Sequence, residues 1–402
     1  MTFLQKYLAF NQGNECPENY HLWSALCLAS AVISRKVYIN WGQERLYCNL
    51  YVCLVGKQGL RKSTAKNVAQ SIVEENFSDI PCGADVSSSQ GISTWLASEE
   101  CTRVFTDEKG IVTEFHPGTF FMNELKHFLG IAPQNMIEFL TDIYDKPFFK
   151  SKYKNSTSDV FPKPYLVILA CETPSWILSK LKVEMISGGF ARRLVPIHEL
   201  NKRCAIPRPF MTVEMEKWKT ECIDTLTKCR SLVGPLVWDP AAITFYDEYY
   251  MELQKRIPED PLMEGFHSSK HTQILKVAMI LTVVERQDLY LTREMIELAI
   301  GIVERIVPGI EKLYHGAGRN ELAQPVERLL EFIIAKGGLV SEKEFLVAAG
   351  RDMTPYEANG VLINLLKTEQ LIQLQQTLPS GLTRKVVATP EKTALLNSKP
   401  SA

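Results

Sequence analysis

An α/β core, an all-helical stretch after it and a small mixed unit at the C-terminus are expected of this 402-residue chain. Three features lead there. Residues 50–55 form a short apolar run closed by Gly56, as in a strand buried on both faces of a parallel sheet, and the apolar spacing over 63–77 predicts a helix straight after the loop. Residues 164–174, PYLVILACETP, repeat the buried-strand pattern. Beyond 210 the character changes, and 211–316 carry long helical periodicities and no convincing strand.

The composition, 46% hydrophobic and 23% charged, excludes a wholly disordered or fibrous chain. A formal net charge of -1 excludes a generally basic protein that coats nucleic acid; any such contact must come from local patches. The ten cysteines include no C-x-x-C pair, and several, such as Cys27 and Cys53, lie in apolar stretches. They read as buried reduced thiols of a cytoplasmic protein rather than a zinc site or disulfide framework. The first residues lack the basic and apolar regions of a signal peptide, and no run nears the ~18 apolar residues of a membrane helix. His267 and His271 stand four apart without a third ligand and read as ordinary histidines.

The remaining elements follow in order. Residues 20–36 predict a buried helix with Arg35 and Lys36 in its last turn. A hairpin is expected over 101–115 around Lys109 and Gly110, then a strand and helix over 118–130 and a helix over 135–145. Residues 148–161 read as an extended hairpin or loop, 175–186 as a helix, and 188–200 as a glycine turn running into a strand. After the proline-containing link 203–210, the clearest helices are 271–287 and 292–314. Residues 325–338 predict a helix with a glycine stop, and capping boxes at Ser341/Glu344 and Thr354/Glu357 start two more. Residues 372–377 and 383–389 complete a pattern that resembles a winged helix, with a frayed tail after it. The expected domains are a helical N-terminal segment (1–45), a core (46–210), a helical lid or connector (211–318), a winged helix (319–390) and a flexible tail (391–402).

The segment that carries chemistry is Gly56-Lys57-Gln58-Gly59-Leu60-Arg61-Lys62-Ser63-Thr64. It parallels the phosphate loop G-x-x-x-x-G-K-[S/T] between a strand and a helix. A polyphosphate needs inward backbone N–H groups, a helix N-terminus, a lysine on the phosphates and a hydroxyl on Mg²⁺. Gly56, Lys62 and Ser63 fall at the right spacing, and Arg61 replaces the second glycine. At the end of FFMNEL (120–125), Glu124 is the candidate acid for water activation and for the Mg²⁺ shell, beside a neutral Asn123. Glu172 and Thr173 end the strand 164–174 and are candidates to sense the terminal phosphate. Arg192 and Arg193 follow a glycine turn and read either as a solvated pair or as guanidinium groups that, at a subunit boundary, stabilise transferred-phosphoryl charge in the next subunit.

Together, "LYCNLYVCLVGKQGLRKST", "FFMNELKHFL", "LTDIYDKP", "YLVILACETP" and "GGFARRLV" resemble the P-loop (RecA/AAA+-like) ATPase domain of phage- and plasmid-associated helicase-like proteins of the primase-helicase type, over roughly residues 20–310. The resemblance implies an oligomeric, hexameric-ring ATPase acting on DNA in mobile-element replication, with ATP and Mg²⁺. It implies Lys62 as the phosphate lysine, Ser63 as the Mg²⁺ ligand, Glu124 as the catalytic acid, Thr173 at the sensor position and Arg193 as the arginine of the G-F-x-x-R turn. The chain departs from the pattern at Arg61 and Asn123.

Lys150, Lys152 and Lys154 alternate on an extended segment and either follow the phosphate backbone of single-stranded or forked DNA or form a solvated edge. Phe148, Phe149 and Tyr153 are candidates to stack on bases. From 325 to 402, 9 basic residues balance 8 acidic ones, so the C-terminal unit is open to DNA or to protein partners. The expected function is an ATP-dependent DNA helicase or translocase. The alternatives are a nucleotide-binding, weakly hydrolysing scaffold for a primase or polymerase, and an origin-binding initiator.

Overall fold

The computed structural model describes residues 1–85, 87–107, 109–130, 133–151, 159–180, 189–256, 261–318, 323–377, 381 and 383–397. The protein is a mixed α/β chain in two compact units, Met1–Tyr314 and His315–Ala402.

In the first unit, α1 (Phe3–Phe10) starts on a capping box at Thr2, and the Glu285 carboxylate accepts the N–H groups of Phe3 (2.6 Å) and Leu4 (3.1 Å). Helix α2 (Glu18–Ile33) is buried nearly all round, as its small and apolar residues require. It ends earlier than expected: Arg35 and Lys36 lie in a following 3₁₀ turn, and Arg35 is buried and donates to the Pro164 carbonyl. A hairpin then follows, β1 (Val37–Trp41) and β2 (Glu44–Tyr47), so the segment expected to be wholly helical ends in strands. Gly42 takes φ +61° at the turn.

The core sheet begins with β3 (Tyr51–Val55), every residue buried, which feeds α3 (Lys62–Asn76). Next come α4 (Ser89–Leu96), the hairpin of β4 (Arg103–Thr106) with β5 (Val112–Met122), α5 (Leu125–Leu129) and α6 (Pro133–Ile143). The hairpin of β6 (Phe148–Ser151) with β7 (Asp159–Pro162) leads to β8 (Pro164–Glu172), α7 (Pro174–Lys180) and β9 (Leu194–His198). The sheet order is β4-β5-β8-β3-β9, with β5, β8, β3 and β9 parallel and β4 antiparallel at one edge. Apolar strands without alternation are what two covered faces select. Helix α2 packs against β3 and β8, α3 against β8 and β5, and α5 and α6 against β8.

Residues 213–318 are mainly helical: α8 (Val213–Cys229), α9 (Pro240–Lys255), α10 (Pro261–Leu281) and α11 (Arg293–Gly318). Three two-residue strands were not expected there: β10 (Gly234–Pro235) pairs with β1, and β11 (Val237–Trp238) pairs with β12 (Tyr290–Leu291). Such pairs are too short to produce an alternation.

The second unit holds α12 (Ala323–Ala335), β13 (Leu339–Ser341), α13 (Glu342–Ala349), α14 (Pro355–Lys367), β14 (Ile372–Thr377) and β15 (Thr383–Ala388). Both capping boxes form, at Ser341/Glu344 and Thr354/Glu357. The sheet order is β13-β15-β14, over a core that includes Leu329, Phe345, Leu362 and Val387. The tail is not frayed throughout: α15 (Pro390–Asn397) is helical.

Candidate functional site

Gly56 follows β3 and donates its N–H to the Glu172 carbonyl on the adjoining strand (3.2 Å). A Cβ here would meet the Tyr20 hydroxyl at 2.5 Å and Leu60 Cδ1 at 2.6 Å, so close packing selects glycine. Tyr20 in turn donates to the Val55 carbonyl (2.6 Å). Lys57, Gln58 and Gly59 are exposed, Gly59 at φ +84°, while Leu60 is buried and anchors the far side of the bend. Arg61 sits at φ +60°, ψ 27°, left-handed, which costs a non-glycine residue about 1–2 kcal/mol. This is the position where the phosphate-loop pattern has its second glycine. Its side chain pairs with Glu15 (Nε–Oε2 2.9 Å).

Helix α3 opens at Lys62, so its first N–H groups lack intrahelical acceptors and carry the positive end of the dipole. Ser63 is exposed at this end, and Thr64 N–H bonds back to the Arg61 carbonyl (3.0 Å). The Lys62 ammonium lies across the bend, donating to the Gly56 (2.5 Å) and Lys57 (3.0 Å) carbonyls and retaining a third proton. Partial burial lowers its pKa, while the nearby Cys171, Cys53, Glu172 and Glu124 act the other way.

In parallel strands the carboxyl ends share one edge, where α/β sheets bind ligands. Beside β3 stand the ends of β8 and, beyond it, β5. Glu124, half-exposed, accepts from Lys126 Nζ (2.8 Å) and has His127 Nε2 3.3 Å away. The Lys126 hydrogen bond holds its carboxyl below the usual range. Asn123 is exposed. Glu172 is buried; Oε2 accepts the Lys126 N–H (3.0 Å), and Oε1 accepts the Thr173 N–H (2.7 Å) and hydroxyl (3.2 Å). The edge thus gathers Gly56 to Thr64, Asn123, Glu124, Glu172 and Thr173. It presents an ammonium, helix-end N–H groups, an exposed hydroxyl and the half-exposed Glu124 carboxylate, while Glu172 is engaged in its own hydrogen bonds. Among the described residues no group of three or more His, Cys, Asp or Glu is placed to hold a metal ion.

Next to the loop, on the β9 side, lies a polar cleft of about 300 Å³ lined by Asn19, Glu199, Asn201, Arg305 and Lys312 among others. The Glu199 N–H bonds to the Val55 carbonyl (3.1 Å), and Asn19 Nδ2 donates to Glu199 Oε1 (2.6 Å). Gly309 in α11 has no room for a Cβ, which would meet the His198 carbonyl at 2.5 Å. Sequence reading missed this cleft, because its residues come from three distant segments and carry no local signal.

Arg193 is elsewhere. It precedes β9, whose Leu194 pairs with Tyr51 at the start of β3, so it is level with Leu50 and about 20 Å from Gly56 at ~3.3 Å per residue. Its guanidinium donates to the Gly189 carbonyl (2.8 Å) and to Asp145 (3.0 Å). Lys150 is exposed on β6, opposite Val160, whereas Lys152, Tyr153 and Lys154 lie outside the described residues. Phe149 is not free to stack on bases: it is buried, stacked on Phe161 and edge-on to Phe139. Phe148 is 51% exposed.

All ten cysteines are free thiols, eight of them buried, and burial raises the pKa of Cys53 and Cys171 beside the loop. Among the described residues no helix is long and apolar enough to cross a membrane. No protein-family model matches the chain, and no curated protein matches it.

Proposed function

We propose that the protein is an oligomeric ATPase of the P-loop (RecA/AAA+-like) kind that drives a DNA helicase or translocase, in line with its resemblance to mobile-element primase-helicase proteins. The observation that carries this reading is the bend from Gly56 to Ser63, closed over the Lys62 ammonium at the start of α3 and facing two strand-end acids. Lys62 and the N–H groups of residues 59–63 would hold the phosphates. Ser63 would reach Mg²⁺, with Asn123 and Glu124 in its outer shell. The bound metal supplies charge neutralisation at the phosphates. Glu124 would orient the attacking water, and Thr173, tied to Glu172, would contact the terminal phosphate. The polar cleft beside Gly56 would take the nucleoside. Arg193 lies too far from its own Lys62 to act there; only the resemblance would place it in a neighbouring subunit's site, within a ring.

The order of helices and strands in the second unit supports a winged helix. On the β6–β7 hairpin the exposed Lys150 leaves both a DNA contact and a solvated edge open. A scaffold that binds nucleotide without efficient turnover, and anchors a primase or polymerase, is favoured instead by Arg61 in the loop and by the neutral, exposed Asn123. ATP turnover with and without single-stranded oligonucleotide separates the two. The motor reading expects DNA-stimulated hydrolysis that Lys62→Ala abolishes, and activity that survives this substitution unchanged refutes it.

A further inference from the structure

Arg61 is the chain's departure from the phosphate-loop pattern, and its surroundings account for it. Its Nε donates to Glu15, while its side chain is 53% exposed and so lies outside the bend that Lys62 occupies. Glu15 comes from the turn ahead of α2 and is itself only 10% exposed. The same oxygen accepts from Lys202 (2.7 Å), and the other accepts the Ile206 N–H (3.1 Å). The backbone joins in: the Arg203 N–H bonds to the Glu15 carbonyl (3.1 Å), and the Arg203 side chain donates to the Gln12 and Asn14 carbonyls. The hydrogen bonds from Lys202, the Ile206 N–H and Arg61 lower the Glu15 pKa to about 2, so the carboxylate stays charged across the physiological range.

A second cation turned into the bend would repel the Lys62 ammonium and compete for its anionic ligand. A left-handed arginine needs surroundings that over-determine it. We infer that Glu15 is a positioning residue for the phosphate-binding loop: it draws the Arg61 side chain out of the bend and holds the left-handed turn that glycine would otherwise supply. The inference rests on the phosphate-loop reading above. It makes the turn at residues 12–15 and the segment 202–206 parts of the nucleotide site.

The test uses the full chain as wild type, Glu15→Ala, Arg61→Gly and the double variant, titrated with Mg²⁺ and a fluorescent ATP analogue, with Tm measured alongside. Glu15→Ala is expected to weaken binding about tenfold. In the Arg61→Gly background it should change binding by less than about twofold. Removing Glu15 should lower Tm in both backgrounds, because the bonds to Lys202 and Ile206 are severed in each, and more in the Arg61 background, where the Arg61 pair is lost as well. Equal weakening in the two backgrounds, or none in either, overturns the inference. If wild type binds no nucleotide, the functional reading fails by itself. The clasp is then judged on trypsin cleavage after Arg61, which Glu15→Ala must accelerate; an unchanged rate overturns it.

Discussion

Lys62 and Glu124 divide the work expected of the site, so their substitutions should part company. Lys62→Ala removes a charge-assisted contact to phosphate and is expected to weaken Mg²⁺-ATP binding about 10- to 100-fold. Glu124→Gln keeps the shape and the acceptor oxygen. It should leave binding nearly intact and lower turnover about 10²- to 10⁴-fold, as a comparison of Kd with single-turnover rates would reveal. A different residue contributes to acid stability. His21 is buried on α2 beside Asn14, and desolvation lowers its pKa to about 3. The unfolded chain therefore binds a proton that the native state refuses, from about pH 6.5 downward. Stability should fall as pH drops from 6.5 toward 3, and urea midpoints across that range should show a flatter slope in His21→Gln.

At this scale the sequence was legible where chemistry is local. The spacing of Gly56, Lys62 and Ser63 was plain, but the reason Arg61 is tolerated was not, because its partner Glu15 is 46 residues away. Phe149 looked like a base-stacking candidate because its packing against Phe139 and Phe161 is set by tertiary contacts.

Elements were legible in proportion to how strictly burial constrains them. Strands β3 and β8 are buried at every position, and a continuous apolar run bounded by glycine or proline says so directly. The β1–β2 hairpin is half-exposed, mixes polar and apolar residues on both faces and left no clean period. Helix α15 has almost no apolar stripe, and its start at Pro390 beside Thr389 is a weak signal. The capping boxes are the opposite case, since Ser341 and Glu344, and Thr354 and Glu357, satisfy each other within one turn. Ser341→Ala and Thr354→Ala should each destabilise the second unit by about 1 kcal/mol, measured by thermal unfolding of the full chain. The two losses should add.

For the whole molecule, the separation of Arg193 from Lys62 turns the functional reading into a statement about assembly. Lys62→Ala and Arg193→Ala should each abolish turnover alone. Mixed together, they should recover a fraction of wild-type activity, because some subunit boundaries then pair an intact Lys62 with an intact Arg193. Steady-state hydrolysis across mixing ratios reads this out; a flat zero would confine Arg193 to holding Asp145 and Gly189 within its own subunit. Mass photometry with Mg²⁺-ATP and an oligonucleotide should report larger species than the apo chain.

The most direct measurement is calorimetric titration of Mg²⁺-ATP into the full chain and into Lys62→Ala. Saturable, Mg²⁺-dependent binding to the wild type that the substitution weakens about 10- to 100-fold is the expected result. No heat of binding up to millimolar nucleotide, or equal binding by both proteins, contradicts the bend from Gly56 to Ser63 as a phosphate site.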